Sequence, residues 1–474
     1  MEEHAKAATP EAGKPSAARG EGDDRRGGAR ARLAAESIVR RLRAAGHEAL
    51  FAGGCVRDLL TGRAPDDYDV ASSARVEEVQ SLFPRTIPVG VHFGVVLVVE
   101  EGVAVEVATF RRDGEYLDHR HPVAVEFCGA REDALRRDFT INGMFLDPAT
   151  GRVIDYVGGR DDLAAKVIRA IGDPAARFDE DRLRLLRAIR FAARLRFEIE
   201  PGTWEALRRM APGILEIAAE RIGEEIVKTL REGAARRGFE LMAESGLLAA
   251  VLPEIMDMRG VGQSPEHHPE GDVFMHTLAC IDKIDPARHD EALALAVLLH
   301  DVAKPICRGQ QPDGRITFYG HCEQGAEMTR AICRRLRRSR DVAERAAWLV
   351  ENHLRHIQVR EMRLATLRRF LAEPDIGDLL ELVRIDGLSA SGDLSSWEFC
   401  QQRLRELAVD VRRPERLLRG RDLIALGHSP GPDFRRILEA AYDAQLEGEF
   451  GSNEEARAWA ARRFPSGLAS KSET

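Results

Sequence analysis

The apolar pattern changes once along the chain, near Leu163, and this constrains the fold more than any other feature of the sequence. Before that point apolar residues come in short runs bounded by glycine, at residues 49–52, 94–99, 103–109, 123–127 and 153–156. The second and third runs flank Glu100-Glu101-Gly102, which suits a β-hairpin. An amphipathic helix is expected over residues 31–46. Beyond Leu163 helical periodicity runs to the C-terminus, punctuated by Pro201-Gly202, Pro212-Gly213, Pro253 and Pro414. A chain of 474 residues exceeds one ordinary core. The expected class is α+β, a mixed-sheet head followed by an all-helical neck, body and tail. The boundaries are a disordered tail at 1–30, the head at 31–165, the neck at 166–240, the body at 241–395 and a helical tail at 396–474.

Composition sets limits on function. Apolar content of 44% with 31% charged residues describes a soluble globular protein, and no apolar run approaches the ~18 residues of a membrane span. The first 30 residues lack the apolar core of a secretory signal. Seven scattered cysteines without a CxxC pair predict reduced thiols and a cytoplasmic location. A net charge of −8 excludes a globally basic nucleic-acid coat but not a local basic groove. Arginines cluster at Arg334, Arg335, Arg337, Arg338 and Arg340, and again at Arg412, Arg413, Arg416, Arg419 and Arg421. These are either solvated helix faces or a grip on RNA phosphates. No membrane partner is expected, and nothing in the sequence bears on oligomeric state.

The stretch Gly53-Gly54-Cys55-Val56-Arg57-Asp58-Leu59-Leu60, then Asp67-Tyr68-Asp69, carries the chemistry of the head. Two glycines after a short strand allow a tight turn that brings backbone N–H groups, Gly54 among them, close to a phosphate. Arg57 can add a guanidinium fork to a triphosphate. Asp67 and Asp69, as alternate residues of a strand, would point to one face. Paired carboxylates repel unless a cation lies between them, and Mg²⁺ suits oxygen ligands and phosphate substrates.

Together with Arg136-Arg137-Asp138-Phe139-Thr140-Ile141-Asn142 and Glu180-Asp181-Arg182-Leu183-Arg184, these segments resemble the class II CCA-adding enzyme and bacterial poly(A) polymerase superfamily. The likeness spans residues 35–240 and continues more loosely beyond. It implies a polymerase-β-like nucleotidyltransferase head. By that resemblance Asp67 and Asp69 are the catalytic metal-binding pair. Gly54 and Arg57 belong to the phosphate-contacting turn, and Arg137 and Asp138 hold the sugar and phosphates of the nucleotide. Glu106 is either a third carboxylate or an ordinary strand residue.

Asp181 and Arg184 match the pair that reads the base. An aspartate accepts from an exocyclic amine and an arginine donates to ring nitrogen and carbonyl, a pattern that CTP and ATP satisfy and UTP and GTP do not. On a helix of 100° per residue, Leu185, Leu186, Ile189 and Ala193 form a packing face. Asp181, Arg184, Arg187 and Arg190 lie across the other half, which is expected to be the nucleotide site. Residues 88–95 and the segment 108–122 resemble the strand entry and flexible loop of CCA-adding members. The resemblance therefore implies addition of C, C and A to the 3′ end of tRNA from CTP and ATP. A-only or CC-only addition and poly(A) synthesis stand as alternatives, and a phosphohydrolase with a nucleotide-binding head stands as a different class.

Eight of the fourteen histidines lie between residues 267 and 356. His276, then His300-Asp301, then Asp386 follow the ligand order of HD-domain phosphohydrolases. Imidazole and carboxylate together suit a divalent transition metal, Mn²⁺, Fe²⁺, Ni²⁺ or Zn²⁺, able to activate water against a phosphoester. His321 and His353 are either further ligands of a two-metal site or hydrogen-bonded histidines without that role. Residues 265–268 also resemble the HD-bearing subset of CCA-adding enzymes.

Overall fold

The head opens on a 24-residue helix, α1 (Glu21–Ala44), whose Ala34, Ala35, Ile38, Val39 and Leu42 are buried at helical spacing. Residues 21–30, expected within a disordered tail, belong to this helix, because no proline interrupts the segment ahead of the apolar stripe. The computed structural model describes residues 21–90, 93–114, 125–264, 271–406 and 414–465. The tail up to residue 20, most of the loop expected at 108–122, and residues 91–92, 265–270 and 412–413 lie outside the described residues.

Nine strands follow in the head: β1 (Ala49–Ala52), β2 (Asp69–Ser72), β3 (Thr86–Gly90), β4 (Val95–Glu100), β5 (Val103–Thr109), β6 (Arg111–Asp113), β7 (Val125–Phe127), β8 (Met144–Leu146) and β9 (Val153–Asp155). Seven of them form one sheet in the order β3-β4-β5-β2-β1-β8-β9, in which only β2 and β5 run parallel. β6 pairs with β7 apart from it. The β4–β5 hairpin turns through Glu101 at φ 51° and Gly102 at φ 81°, the two positive values a two-residue primed turn requires. Alternation in β5 buries Val105, Val107 and Thr109 and turns Glu106 and Ala108 to the opposite face.

Helices α2 (Gly54–Leu60), α3 (Val76–Leu82), α4 (Ala130–Leu135) and α5 (Gly159–Ala165) complete the head. Leu50, Ala52, Ala71, Phe110, Ala130, Ala134 and Phe145 form one of its apolar cores. Four further helices follow: α6 (Pro174–Glu180), α7 (Leu183–Leu195), α8 (Pro201–Met210) and α9 (Ala219–Arg231). Asp173 starts α6 by accepting from the Ala176 N–H, with Pro174 at the first position, where no N–H is needed. The head and the neck as far as residue 232 fall in one compact unit, which also takes in 241–251 and 285–288.

The second unit comprises residues 233–240, 252–284 and 289–474. Its central helix, Glu291–Leu299, is buried from Ala292 through Leu299, so it is apolar on every side. Each fully buried leucine or valine there contributes about 1.5–3 kcal/mol. Asp290 caps this helix through the Leu293 N–H, and Asp272 caps helix Val273–Ile281 through the Met275 N–H. Helices His321–Arg335, Arg340–Asn352 and Ile376–Ser389 pack around the central one. A smaller core nearer the C-terminus gathers Leu418, Leu423, Ile437, Ala441, Phe450, Ala456 and Ala460. Among the described residues no helix is long and apolar enough to cross a membrane.

Candidate functional site

Every head and neck residue expected to bind metal or nucleotide lines one cleft of about 690 Å³ in the first unit. Gly53 and Gly54 form its floor at the β1–α2 turn. Gly53 has φ +71°, a conformation that favours glycine, and a Cβ there would stand 3.0 Å from Arg137 Nη1, which would have to give way. Asp69 opens β2, paired in register with Glu106 of the parallel neighbour β5, so both carboxylates emerge on the cleft face. Asp67 differs from the expectation. It lies in the loop before β2 rather than on the strand, because the strand pairing begins only at Asp69. It lines the same cleft from there.

The arginines of the cleft are held by carboxylates and carbonyls. Arg57, 3% exposed, reaches Asp58 Oδ1 at 2.9 Å and donates to Asn142 Oδ1 at 2.7 Å. Burial lowers its pKa against the pull of Asp58. Asn142 Nδ2 donates to Asp138 Oδ1 at 3.1 Å, and Asp138 Oδ2 accepts from Arg187 Nε at 2.9 Å and Nη2 at 2.7 Å. A continuous chain, Arg57–Asn142–Asp138–Arg187, therefore links the glycine turn to α7. Burial opposes ionisation of Asp138, but the Arg187 guanidinium and the Asn142 and Phe139 N–H donors outweigh it and hold the carboxyl at about 2. Arg137 is pinned by Asp133 Oδ2 through Nε at 3.2 Å and Nη2 at 3.0 Å.

Arg184 and Arg190 are not on a solvated stripe. Both are buried, and α7 is packed nearly all round. Arg190 is clamped by Glu225 Oε2 at 2.7 Å and Glu232 Oε2 at 2.9 Å. Arg184 Nη1 donates to Glu180 at 2.6 Å and to the Arg177 carbonyl at 2.8 Å, and Nη2 donates to the Arg136 carbonyl at 3.2 Å. Two of its five N–H donors are left outside these bonds. Asp181 sits at the α6–α7 junction rather than on the helix face, because α6 ends at Glu180 and α7 starts at Leu183. Arg221 of α9 grips it in a fork, Nη1 to Oδ1 at 3.0 Å and Nη2 to Oδ2 at 2.9 Å. Asp181 Oδ2 retains a lone pair for an amine. Arg221 and Glu225 carried no local sequence signal. Asn142 was legible as the last residue of a quoted motif.

In the second unit His276, His300, Asp301 and Asp386 come together, and His321, His353, Cys280 and Cys322 join them. His276 Nε2 lies 3.0 Å from Asp386 Oδ1 and 3.3 Å from His300 Nε2. Asp301, 2% exposed, stands between two groups. Its Oδ2 is 3.4 Å from His300 Nε2, and its Oδ1 is 3.6 Å from His321 Nε2 and 3.9 Å from His353 Nε2. The Nδ1 atoms of His300, His321 and His353 meet the carbonyls of Val297, Phe318 and Val350 at 3.0, 2.7 and 2.6 Å. These contacts turn each Nε2 inward, as ligating histidines require. The Lys304 ammonium lies 2.7 Å from Asp301 Oδ2 as an ion pair, without the alignment of a hydrogen bond, and donates to Gln263 Oε1 at 2.6 Å. Burial disfavours charge on His300, yet adjacent Asp301 raises its pKa to about 9. Burial and neighbouring His300 push His353 down to about 3.

Comparison with known proteins follows the same division. Residues 49–169 match the Poly A polymerase head domain, residues 196–258 the probable RNA and SrmB- binding site of polymerase A, and residues 273–386 the HD domain. The CCA-adding enzyme of Anoxybacillus flavithermus is 43% identical over 220 residues, 46% of this chain and 55% of that protein. That of Geobacillus thermodenitrificans is 45% identical over 221 residues, 46% and 54% of the two chains. The match thus spans about half the length of these curated relatives. The crystal structure of the Bacillus stearothermophilus CCA-adding enzyme in complex with CTP superposes with a TM-score of 0.71 at 29% identity, covering 91% of this chain and 97% of that one. The Thermotoga maritima CCA-adding enzyme, solved with tRNA, shares the fold at a TM-score of 0.53 and 20% identity, with 90% and 94% covered.

Proposed function

We propose that the chain, a member of the poly(A) polymerase family by its head domain and RNA-binding segment, adds C, C and A in turn to the 3′ end of tRNA from CTP and ATP. The observation that carries this reading is a single cleft lined both by Asp67, Asp69 and Glu106 and by Asp181 and Arg184. The reaction is in-line attack of the RNA 3′-hydroxyl on the α-phosphate, with pyrophosphate leaving. Asp67 and Asp69, with Glu106, would hold Mg²⁺, which when bound lowers the pKa of the attacking hydroxyl and steadies the leaving group. Arg57 and the Gly54 turn receive the phosphates, and Arg137 and Asp138 the sugar and phosphates. Arg187 and Arg190 add positive charge that is already oriented, so little reorganisation is needed. Asp181 accepts the exocyclic amine of cytosine or adenine, and Arg184 donates to the adjoining ring nitrogen. Side chains thereby replace a template. The arginines near residues 334–340 and 416–421 would hold tRNA phosphates without reading sequence, in the cytoplasm.

The test offers Mg²⁺, CTP and ATP with tRNAs lacking all three, the last two, or only the last of the CCA nucleotides, followed by sequencing of the 3′ ends. Completion on all three substrates with no further growth supports the reading. Growth from the last substrate alone means A addition, arrest after CC means CC addition, runaway A tails mean a poly(A) polymerase, and no growth rejects nucleotidyl transfer.

A second reading rests on the buried cluster around Asp301. His276, His300, Asp301 and Asp386, with His321 and His353, would hold divalent transition metal, which when bound supplies an activated water for phosphoester hydrolysis. Release of monoester from a 2′,3′-cyclic nucleotide with added metal supports this, and inactivity across Mn²⁺, Ni²⁺, Fe²⁺ and Zn²⁺ rejects it.

A further inference from the structure

Two cysteines, Cys280 and Cys322, stand inside the histidine cluster, one in each half. The ligand atoms of His276, Cys280, His300 and Asp386 all lie within 4.8 Å of one another, as do those of His321, Cys322 and His353. Cys280 is fully buried one helical turn after His276, so both side chains leave the same face of their helix. Cys322 follows His321 directly at the start of the next ligand-bearing helix.

We infer that Cys280 and Cys322 are thiolate ligands, one in each half of a mixed nitrogen, oxygen and sulfur metal site, and that the cluster therefore selects a thiophilic divalent ion such as Zn²⁺ or Fe²⁺ over Mg²⁺. The inference rests on the reading above that the cluster holds metal. It is carried by the ligand spacing. Metal bonds of ~2.05 Å to nitrogen and ~2.3 Å to sulfur, set at tetrahedral angles, separate two nitrogens by about 3.3 Å and a nitrogen from a sulfur by about 3.6 Å. His276 Nε2 and His300 Nε2 are 3.3 Å apart. Cys280 Sγ is 3.4 Å from His276 Nε2, and Cys322 Sγ is 3.8 Å from His321 Nε2. The thiols thus stand at ligand distance from these histidines, and the Phe318 carbonyl holds the His321 ring inward.

Asp301 supplies the second, independent observation. Its Oδ2 is buried without a hydrogen bond among the described residues, though Lys304 pairs with it in charge. It faces the half that contains Cys280, while Oδ1 faces the half that contains Cys322. One carboxylate between two such groups is the arrangement that joins two ions. Coordination displaces the thiol protons to solvent, so each thiolate carries into the site the negative charge that a divalent ion neutralises. Soft thiolate beside imidazole favours zinc and iron, whereas Mg²⁺ keeps to oxygen ligands.

The experiment titrates the full-length, metal-stripped and reduced protein with Co²⁺ while its near-ultraviolet spectrum and bound metal are recorded. A thiolate-to-cobalt charge-transfer band is expected, falling by about half in Cys280→Ser and in Cys322→Ser and vanishing in the double variant. The serine variants assign the band, because Cys55 lies near the head carboxylates. In parallel, Zn²⁺ should protect the partly exposed Cys322 of the unaltered protein from alkylation, read by peptide mass spectrometry, and Mg²⁺ should not. Metal bound by the cluster, as shown by its loss in His300→Ala, without the band or the protection leaves the metal reading standing and overturns the thiolate inference. No metal lost in His300→Ala overturns both.

Discussion

The head cleft is lined by arginines tied down by carboxylates or carbonyls, as Arg187 is by Asp138 and Arg190 by Glu225 and Glu232. In the histidine cluster the ligand groups are imidazoles tied to the carbonyl three residues earlier, His300 to Val297, His321 to Phe318 and His353 to Val350. The first arrangement fits a mobile, highly charged substrate that enters an open cleft and must find its donors already oriented. The second fits a small cation that stays, because imidazole nitrogens aimed at one buried point gain little from solvent and much from a metal. The two regions therefore fail differently when altered.

The largest effect is expected at Asp69. Asp69→Ala should lower nucleotide addition by about a thousandfold or more, since metal stabilisation of the transferring phosphoryl is worth several kcal/mol. The melting temperature should stay near that of the parent, and metal in the histidine cluster should be unchanged. A variant that loses both would break the separation of the two sites. Next comes Arg190→Ala, which leaves buried Glu225 with Lys228 at 3.6 Å as its remaining cation and should destabilise the first unit by about 3 kcal/mol in urea unfolding. A loss of activity without loss of stability would instead make Arg190 a ligand contact alone.

Asp301→Ala removes the carboxylate between the halves and should weaken metal binding by about a hundredfold or more, read by metal analysis of the dialysed protein. Addition to tRNA should persist. A smaller effect is set by pH. The Asp138 pKa in the folded protein, about 2, lies below the ordinary 3.8, so its pairing with Arg187 contributes fully above pH 4 and is lost as the pH falls through 2. The contribution is about 2 kcal/mol, so the stability gap between the parent and Asp138→Asn should shrink from pH 4 downward. A gap constant over that range would mean that Asp138 acts by packing rather than by charge. Smallest is Gly53→Ala, expected to destabilise by about 1–2 kcal/mol through the left-handed backbone and the close Arg137 guanidinium.

Much of the head was legible because its chemistry sits in short contiguous stretches. A glycine pair after a strand, two aspartates two residues apart, and an arginine–aspartate pair ahead of a 3₁₀ turn are local facts, readable from the chain alone. Strands β1 and β5 have the bounds that their apolar runs predict, for the same reason. The order His276, His300-Asp301, Asp386 was legible too, through its resemblance to the ligand order of HD-domain phosphohydrolases. What tertiary structure alone decided was partnership. That Arg221 would fork onto Asp181, 40 residues away, that Arg190 would be buried by Glu225, and that Asp67 would stand outside the strand depend on how α7 packs on α9 and where β2 begins to pair. The same holds for Cys280 and Cys322. In the sequence they are two of seven scattered cysteines, and only the packing of several helices brings each within reach of two imidazoles. Local chemistry follows the chain, whereas the charge that balances it comes from whichever distant surface the core brings alongside.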